Sequence, residues 1–526
     1  MNISRYLLII ISLLFLKVSL GLDEDRLPLL ETYLEPKSFL FVGGFGGSSH
    51  HNWVLTILDE TINRGHNVTF LATDEGVRFG KPFPRIQTIS FGPATEEENS
   101  YRYIDFIKLV DFVKERQVDV MLCDHFLDVC PDVARYLKKP FIVTMANEIS
   151  KASAASHIYN HQSDVSDFTS EFLSIYDRFL IEFVKPFRVY LGTRKFWSDY
   201  RSIKRAMGIV PKSDITESWA DSIKLVNNFY GITPPRRSDP LVEHVGIIIP
   251  KTYAPLNEDL TEFLGNHLRV IYIAFGQHAR ATLKANSLIL ASLLEVLESG
   301  ETDGILWSTA SPIEDFPQEV TTTSNTTYIV KNFFERKHPQ IWFEKWVPQT
   351  AVLLHPSTQL FVSHGGLGSI SESLYAGKRM ALFPFFGDQP GNAKTMERAN
   401  VGGVIRLDAG VSQNANMMKE LLVDKTGVVG ENVKRIQALV QIHARDGPRL
   451  GAAILEEVAF SSVDGKIPHR YEASRRMSFI KAHKIDIYVI FILVVSTSMA
   501  VAGYTIMRTI SYIKLICTKR AKTKTA

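Results

Sequence analysis

Apolar residues along this chain fall into two kinds of pattern that alternate. The first is a short solid run: Ser38–Val42, Val68–Ala72, Val118–Cys123, Val270–Ala274, Leu360–Ser363 and Met380–Phe383, each of four to six residues. Such runs are too short for helices, and they lack the in-out alternation of a strand with one wet face. They fit strands buried on both faces, as in a parallel sheet. The second pattern has helical spacing. Val54, Ile57, Leu58, Thr61 and Ile62 mark a helix from about Trp53 to Arg64, and another is expected near Tyr103 to Arg116. Strands and helices in alternation predict an α/β fold built on parallel sheets.

A chain of 526 residues is too long for one core and should divide. Prolines 234, 235, 240, 250 and 255 mark a linker running from about Thr233 to Asp259. Two domains are set at 22–245 and 266–465 about a linker at 246–265, with a juxtamembrane segment at 466–486. Between roughly Ser150 and Met207 lies an aromatic-rich helical stretch that includes Phe168, Phe172, Tyr176, Phe179, Phe183, Phe187, Tyr190, Phe196 and Trp197. It reads as a packed helical layer, an apolar pocket for a small molecule, or a surface resting on a bilayer.

The two ends have their own signatures. Arg5, the apolar run Tyr6–Leu16 and the small residues Ser19 and Gly21 predict a secretory signal over 1–21. Ile487–Met507 is long and apolar enough for a transmembrane helix. Arg508, Lys514, Lys519, Arg520, Lys522 and Lys524 follow it, which places the tail 508–526 in the cytosol and the bulk of the chain on the other side. Cys123 and Cys130 on that side allow at most one disulfide, so the fold rests on its core. Asn67-Val68-Thr69 and Asn325-Thr326-Thr327 are glycosylation sequons; Asn67 opens a strand, which favours Asn325. A net charge of +3 with no basic stripe argues against nucleic acid.

The densest chemistry lies between Trp346 and Asn392. The run Leu360–Ser363 feeds a helix through His364-Gly365-Gly366-Leu367-Gly368-Ser369. A strand, a glycine turn and a helix N-terminus leave free backbone N–H groups where a phosphate would sit. Glycine lets the backbone approach an anion, Ser369 can cap the helix or donate to a phosphate oxygen, and His364 adds a hydrogen bond or a charge. Glu372, three residues beyond Ser369, completes a capping-box spacing.

Together these residues resemble the signature of the UDP-glycosyltransferases, an inverting family. The matching pieces are Trp346-x-Pro348-Gln349, His355-Pro356, His364-Gly365-Gly366, Ser369, Glu372, Gly377, Pro384 and Asp388-Gln389-x-x-Asn392. The resemblance implies the GT-B fold, two facing Rossmann-like domains, here with a C-terminal transmembrane helix. It also implies a UDP-sugar donor as co-substrate, no other cofactor and no metal. Trp346 would stack on uracil and Gln349 would pair with the base edge or the ribose. His364, Ser369 and the amides about Gly366 and Gly368 would hold the pyrophosphate. Glu372 would accept from the ribose, and Asp388 and Gln389 would meet the sugar hydroxyls. Gln277, in the turn Phe275-Gly276-Gln277 after the strand Val270–Ala274, would face the phosphates. Two positions depart from the family: Gly368, where many members carry Asn, and Gln277, where Ser or Thr is usual.

Transfer to an oxygen needs a base for the acceptor proton. Counting back from Thr56-Ile57-Leu58-Asp59-Glu60, the resemblance puts the catalytic histidine at His50, with His51 as the neighbouring alternative. Asp124, closing the run from Val118, would orient it. The expectation is a glycosyltransferase moving a hexose, with a lean to glucose because no arginine stands out for a uronate. The acceptor would be a small lipophilic hydroxyl compound such as a sterol, lipid or xenobiotic. Membrane-anchored animal members share this layout, and Lys522 and Lys524 resemble a dilysine retrieval signal. A type I protein of the endoplasmic reticulum membrane with a lumenal catalytic part is therefore expected, its oligomeric state open. The competing expectations are a catalytically silent lumenal binder of the same fold, and another GT-B reaction such as sugar-nucleotide epimerisation.

Overall fold

The computed structural model describes residues 33, 35–44, 47–93, 103–148, 155–159, 167–212, 216–277 and 279–524. The signal-sequence expectation falls outside them. Fifteen strands are described, thirteen of them in two parallel sheets. In the first, β1 (Ser38–Val42), β2 (Asn67–Ala72), β3 (Gln87–Ser90), β4 (Val120–Asp124), β5 (Phe141–Met145), β6 (Ile223–Val226) and β7 (Val242–His244) stand in the order 3-2-1-4-5-6-7. In the second, β8 (Val270–Ala274), β9 (Gly304–Ser308), β12 (Ile341–Glu344), β13 (Thr358–Ser363), β14 (Arg379–Leu382) and β15 (Gly402–Val404) stand in the order 12-9-8-13-14-15. The hairpin β10 (Glu319–Thr321) and β11 (Thr327–Ile329) lies apart, with the sequon residue Asn325 exposed in its turn.

Both orders reverse direction next to their first strand, the arrangement of doubly wound α/β folds. The reversal falls between β1 and β4, where Val42 pairs with Cys123. It falls again between β8 and β13, where Ala274 pairs with Ser363. The central strands are apolar throughout because helices cover both faces. Every residue of β4, β5 and β8 is buried.

The principal helices are α1 (Ser48–Asn63), α2 (Tyr103–Glu115), α3 (Val129–Tyr136), α4 (Lys185–Ala206), α5 (Leu283–Glu298), α6 (Leu367–Tyr375), α7 (Gln389–Arg398), α8 (Gly410–Val423), α9 (Val428–Ser461) and α10 (Ile485–Lys524). Two of them begin earlier than their apolar spacing suggests. Helix α1 starts at Ser48 behind an extended Gly47, so His50 and His51 lie in its first turn and not in the glycine loop. Helix α6 starts at Leu367 behind Gly366, so Ser369 is inside the helix and the capping box does not form. In both cases glycines at the strand end let the chain turn at once, and apolar periodicity carries no trace of the first turn.

Helix α9 ties the two halves together. Its first part, Val433, Ile436 and Val440, packs with Leu367, Ile370 and Met380 of the second sheet's layer. Its second part, Ala452, Ile454, Leu455 and Val458, joins Trp53, Val54 and Ile57 of α1 in the core of the first. Each such aliphatic side chain contributes about 1.5–3 kcal/mol by leaving water. Small residues make the crossing close: a Cβ at Gly447 would stand 2.4 Å from the Val245 carbonyl oxygen, and one at Gly451 2.5 Å from Ile57 Cδ1. Within α10, Ile485–Cys517 is long and apolar enough to cross a membrane and is exposed along its length.

Gly451→Leu should therefore destabilise the protein by about 1–3 kcal/mol through overpacking, more than the roughly 1 kcal/mol that losing a helical glycine returns. Thermal unfolding of the detergent-solubilised chain would show it, and an unchanged midpoint would mean that α9 is not seated on α1.

Candidate active site

Parallel strands deliver their following loops to one edge of a sheet, and here the two carboxyl edges face each other. Three contacts define the cleft. Ser49, in the first turn of α1, lies opposite Gly368 in the first turn of α6, where a Cβ on Gly368 would come 3.4 Å from Ser49 Cβ. Asn147, beyond β5, donates to Asp388, beyond β14, at 2.6 Å. Arg398 of α7 pairs with Asp167 of the first domain, its Nη1 donating at 2.6 Å.

On the first wall, His50 and Asp124 meet at the strand-order reversal, with Nδ1 of the ring 2.9 Å from Oδ2 of the carboxylate. Asp124 is buried, and its other oxygen accepts from the Phe126 amide at 2.9 Å. Burial alone would raise its pKa. The His50 hydrogen bond, the nearby His125 and the Phe126 amide outweigh burial and hold the carboxyl below its ordinary value. The His50 ring stacks on those of His125 at 5.1 Å and Phe126 at 4.9 Å, which themselves meet at 4.2 Å. With Nδ1 engaged, Nε2 is the ring nitrogen left for the cleft. One ligand atom each from His50, Asp124 and His125 lie within 4.8 Å of one another, close enough to share a cation. Within the cluster His50 Nδ1 and Asp124 Oδ2 are already hydrogen-bonded to each other.

His51 is placed differently. It is fully buried, its Nδ1 donates to the Gly47 carbonyl at 3.0 Å, and its ring stacks on Phe79 at 4.6 Å. Burial depresses its pKa. Of the two neighbouring histidines, only His50 holds a carboxylate at the cleft.

A disulfide joins Cys123, the last residue before Asp124, to Cys130 in α3. It closes the short loop that carries Asp124, His125 and Phe126. A bridge over so short a loop still restrains the unfolded chain by roughly 2–3 kcal/mol.

On the second wall, Gly365 turns the chain with φ +83°, a backbone shape that other residues rarely adopt. Gly366 leaves space for the His364 ring, since a Cβ there would stand 2.3 Å from His364 Nε2. Gly276, after β8, also lies against this ring, where a Cβ would be 3.1 Å from it. The amides of Leu367, Gly368 and Ser369 open α6 beside these groups, a ready place for an anion. Gln277 is exposed in the turn next to Gly276.

Next to them is a polar network. Gln349 donates to Glu372 at 2.5 Å and to the Ser369 hydroxyl at 3.2 Å. Thr350 donates to Glu372 at 3.2 Å, and Tyr272 donates to Gln349 Oε1 at 3.4 Å. Burial pushes the Glu372 carboxyl up, and the bonds from Gln349 and Thr350 offset part of the rise. Trp346 stands 66 % exposed at the rim, its indole face open. Gln389 is buried and accepts from the Phe385 and Phe386 amides, while Asp388 also accepts from Asn392.

His50 and Asp124 thus stand on one wall of this cleft, and Gln277, Trp346, Gln349, His364, Gly366, Gly368, Ser369, Glu372, Asp388 and Gln389 belong to the other. His51 is buried behind the first, and His355-Pro356 and Gly377 precede β13 and β14 at the opposite edge of the second sheet. Sequence reasoning missed Asn147, His125 and Phe126. The available signal was position: Asn147 follows β5, next in the sheet to β4, and so reaches the same edge as Asp124.

Three kinds of likeness bear on this cleft. The sequence model of the family described as UDP-glucoronosyl and UDP-glucosyl transferase matches residues 97–520. The UDP-glycosyltransferase stmC of Aspergillus ustus is 26% identical over 502 residues, spanning 84% of this chain and 92% of that protein. The UDP-glucuronosyltransferase 3A2 of Mus musculus is 24% identical over 428 residues, 72% of this chain and 76% of that protein. Among solved structures, a UDP-glucose: anthocyanidin 3-O-glucosyltransferase in complex with UDP superposes with a TM-score of 0.56. It has 18% identity and covers 81% of this chain and 99% of its own. The glycotransferase of kitacinnamycin gives 0.57 at 16% identity, over 81% of this chain and all of its own. At those identities the structural likeness speaks for the fold.

His51 makes the site acid-labile in a definite window. Its folded pKa lies below the ordinary value of 6.5, so the folded ring stays neutral where the unfolded ring takes a proton. The stability it contributes is whole above pH 6.5 and is lost as pH falls from there toward the folded pKa. His244, held at about 4 by burial and by Arg236, acts in the same direction. The melting temperature should fall between pH 7 and pH 5, and His51→Gln should make that fall shallower. An unchanged slope would remove His51 as a cause.

Proposed function

The chain belongs to the UDP-glycosyltransferase family, and from that premise we propose that it moves glucose from UDP-glucose onto the hydroxyl of a small lipophilic acceptor. His50 serves as base and Asp124 as its positioning partner. One observation carries the base assignment: the buried Asp124 carboxylate fixes His50 through Nδ1, which turns Nε2 toward the cleft. The acceptor oxygen attacks the anomeric carbon and gives its proton to Nε2. Asp124 then stabilises the imidazolium. The bond between the anomeric carbon and the UDP oxygen breaks, and its electrons leave with UDP. The charge that develops there lies against the α6 amides, Ser369 and His364, which are in place before reaction. This assembly needs no cation, and we expect activity to survive a chelator. A single displacement inverts the anomeric carbon.

The preference for glucose rests on the groups facing the sugar end of the cleft. Asp388, Asn147, Asn392 and Gln389 offer acceptors and amides to hydroxyls, and Asp388 would repel a uronate carboxylate. Arg236 is engaged by Glu148, so its charge is already met. Asn147 donates to the Asp388 carboxylate, a bond that sugar hydroxyls could replace. Trp346 would stack on uracil, with Gln349 and Glu372 on the base edge and the ribose. The span Ile485–Cys517 with its basic tail supports a single-pass anchor. The Cys123–Cys130 bridge supports a lumenal, oxidising setting for the catalytic part, and the endoplasmic reticulum fits both.

The test is UDP release by the full chain with UDP-glucose and UDP-glucuronate against a panel of sterols, lipids and phenols. His50→Ala and Asp124→Asn should each lower kcat by about 10²–10⁴-fold while UDP still binds. Retained kcat in His50→Ala would sink the assignment of the base. A product with the donor's anomeric configuration would sink the single displacement, and a preference for UDP-glucuronate would sink the sugar. UDP binding without release for any pair would favour a silent binding protein.

Gly366→Ala offers a separate check on the anion site. Its Cβ would displace His364, and UDP affinity should drop at least ten-fold in calorimetry, with the His50–Asp124 pair untouched.

A further inference from the structure

The segment Ile175–Phe179, the single wide turn Leu180–Val184 and α4 run on as one helical rod. Tyr176, Phe179, Phe183, Phe187 and Tyr190 form a stripe along it at intervals of three and four, and each is more than half exposed. The expected packed helical layer is therefore not what they form. The foot of the rod is fastened to the first domain. Tyr200, Ile203 and Met207 pack against its core, and the buried Lys204 pairs with Asp132 of α3 at 2.7 Å. One turn before Lys204, the Tyr200 hydroxyl donates to Asp128. Burial and the Asp128 charge push the Tyr200 phenol upward, so it keeps the proton it donates.

Asp128 is the N-cap residue of α3, yet its side chain makes no capping bond. Aspartate is favoured at that position because it can take a free amide of the first turn. Here the carboxylate goes to Tyr200, and its second oxygen is buried without a hydrogen-bond partner among the described residues. Burial pushes its pKa above the ordinary value, and the Tyr200 bond and Lys204 offset part of the rise. Removing the one bond would leave a buried carboxylate unmet, so Asp128 would have to move to find water or an amide. Such a move would carry the loop with it. Asp128 closes the stretch from Asp124 to α3. Within it the Phe126 amide donates to Asp124 Oδ1, and the Leu127 amide donates to the Asp124 carbonyl, both at 2.9 Å. Leu127 also lies against Gly44, where a Cβ would stand 3.2 Å from it.

We propose that Tyr200 is a positioning residue for transfer: through Asp128 it fixes the loop whose amide holds Asp124, and Asp124 in turn sets His50. The inference rests on the assignment of His50 as base. The Lys204–Asp132 pair offers an internal contrast. Asp132 lies inside α3, beyond Cys130 and the end of the bridged loop, so that pair fastens the rod to the helix and not to the loop.

The experiment compares Tyr200→Phe, Asp128→Asn, Asp128→Ala and Lys204→Gln in the full chain, with His50→Ala alongside. Tyr200→Phe should lower kcat about ten-fold and leave KM for donor and acceptor within two-fold. Asp128→Asn keeps an oxygen for the phenol and should stay near the parent, whereas Asp128→Ala should match Tyr200→Phe. Combining Tyr200→Phe with Asp128→Ala should cost no more than either alone, the mark of two residues acting through one contact. Lys204→Gln should lower the melting temperature yet keep kcat. An equal loss of kcat in Lys204→Gln would mean general loosening and overturn the proposal, as would a loss in Asp128→Asn as deep as in Asp128→Ala. A second readout needs no acceptor: hydrogen exchange of the 124–130 amides, followed by mass spectrometry, should quicken several-fold in Tyr200→Phe. Parent-like exchange there would overturn the proposal even if kcat fell. Full kcat in Tyr200→Phe with loss in His50→Ala overturns Tyr200 alone, and retained kcat in His50→Ala overturns the base and the proposal with it.

Discussion

Two parallel sheets set carboxyl edge to carboxyl edge are the constraint from which the rest of this molecule follows. A parallel strand must be followed by a crossover, so every loop after a strand emerges on the same side of its sheet. Where the strand order reverses, neighbouring crossovers leave in opposite directions and a crevice opens between them. The chain has two such places, beside the pairs Val42–Cys123 and Ala274–Ser363. His50 and Asp124 stand at the first, His364 and the start of α6 at the second. The reactive groups come from distant parts of the sequence because topology, and not proximity along the chain, delivers them to one cleft.

Holding two edges face to face is a separate problem, and α9 addresses it. One rigid element contributes apolar residues to both cores, with Gly447 and Gly451 letting it lie close at the crossing. Polar contacts across the cleft, Asn147 to Asp388 and Asp167 to Arg398, add direction more than strength. Bonds of this kind can be exchanged for bonds to a ligand at little cost. Apolar burial by α9 cannot, so it sets the frame within which the cleft works.

Much of this was legible in the chain, for identifiable reasons. Solid apolar runs marked the central strands because burial on both faces leaves no room for polar residues. The glycine turn before α6 was legible because close backbone approach to an anion demands it. The starts of α1 and α6 were not, since glycine sets them and the first turn of each is polar. Ser369 looked like a cap from spacing alone, yet it sits inside the helix and accepts from Gln349. The partnership of Asn147 with Asp388 was invisible because it joins residues on different sheets, and only the meeting of the domains creates it. The aromatic stripe showed in composition, but which of its faces is covered is a matter of packing and could be read only from the fold.

The bridge between Cys123 and Cys130 closes its ring around the residues that seat His50, and it touches nothing on the nucleotide side. The two walls are therefore held by different means. The α6 wall rests on packing and hydrogen bonds alone, whereas the loop bearing Asp124 is closed in addition by a bond that forms only when two thiols are oxidised. A newly made copy awaiting that step would hold a finished berth for the nucleotide sugar and a slack one for the proton acceptor. On the proposed assignment of the base, such a copy would take up donor and pass nothing on, which would make thiol oxidation a late step in assembling the machinery of transfer.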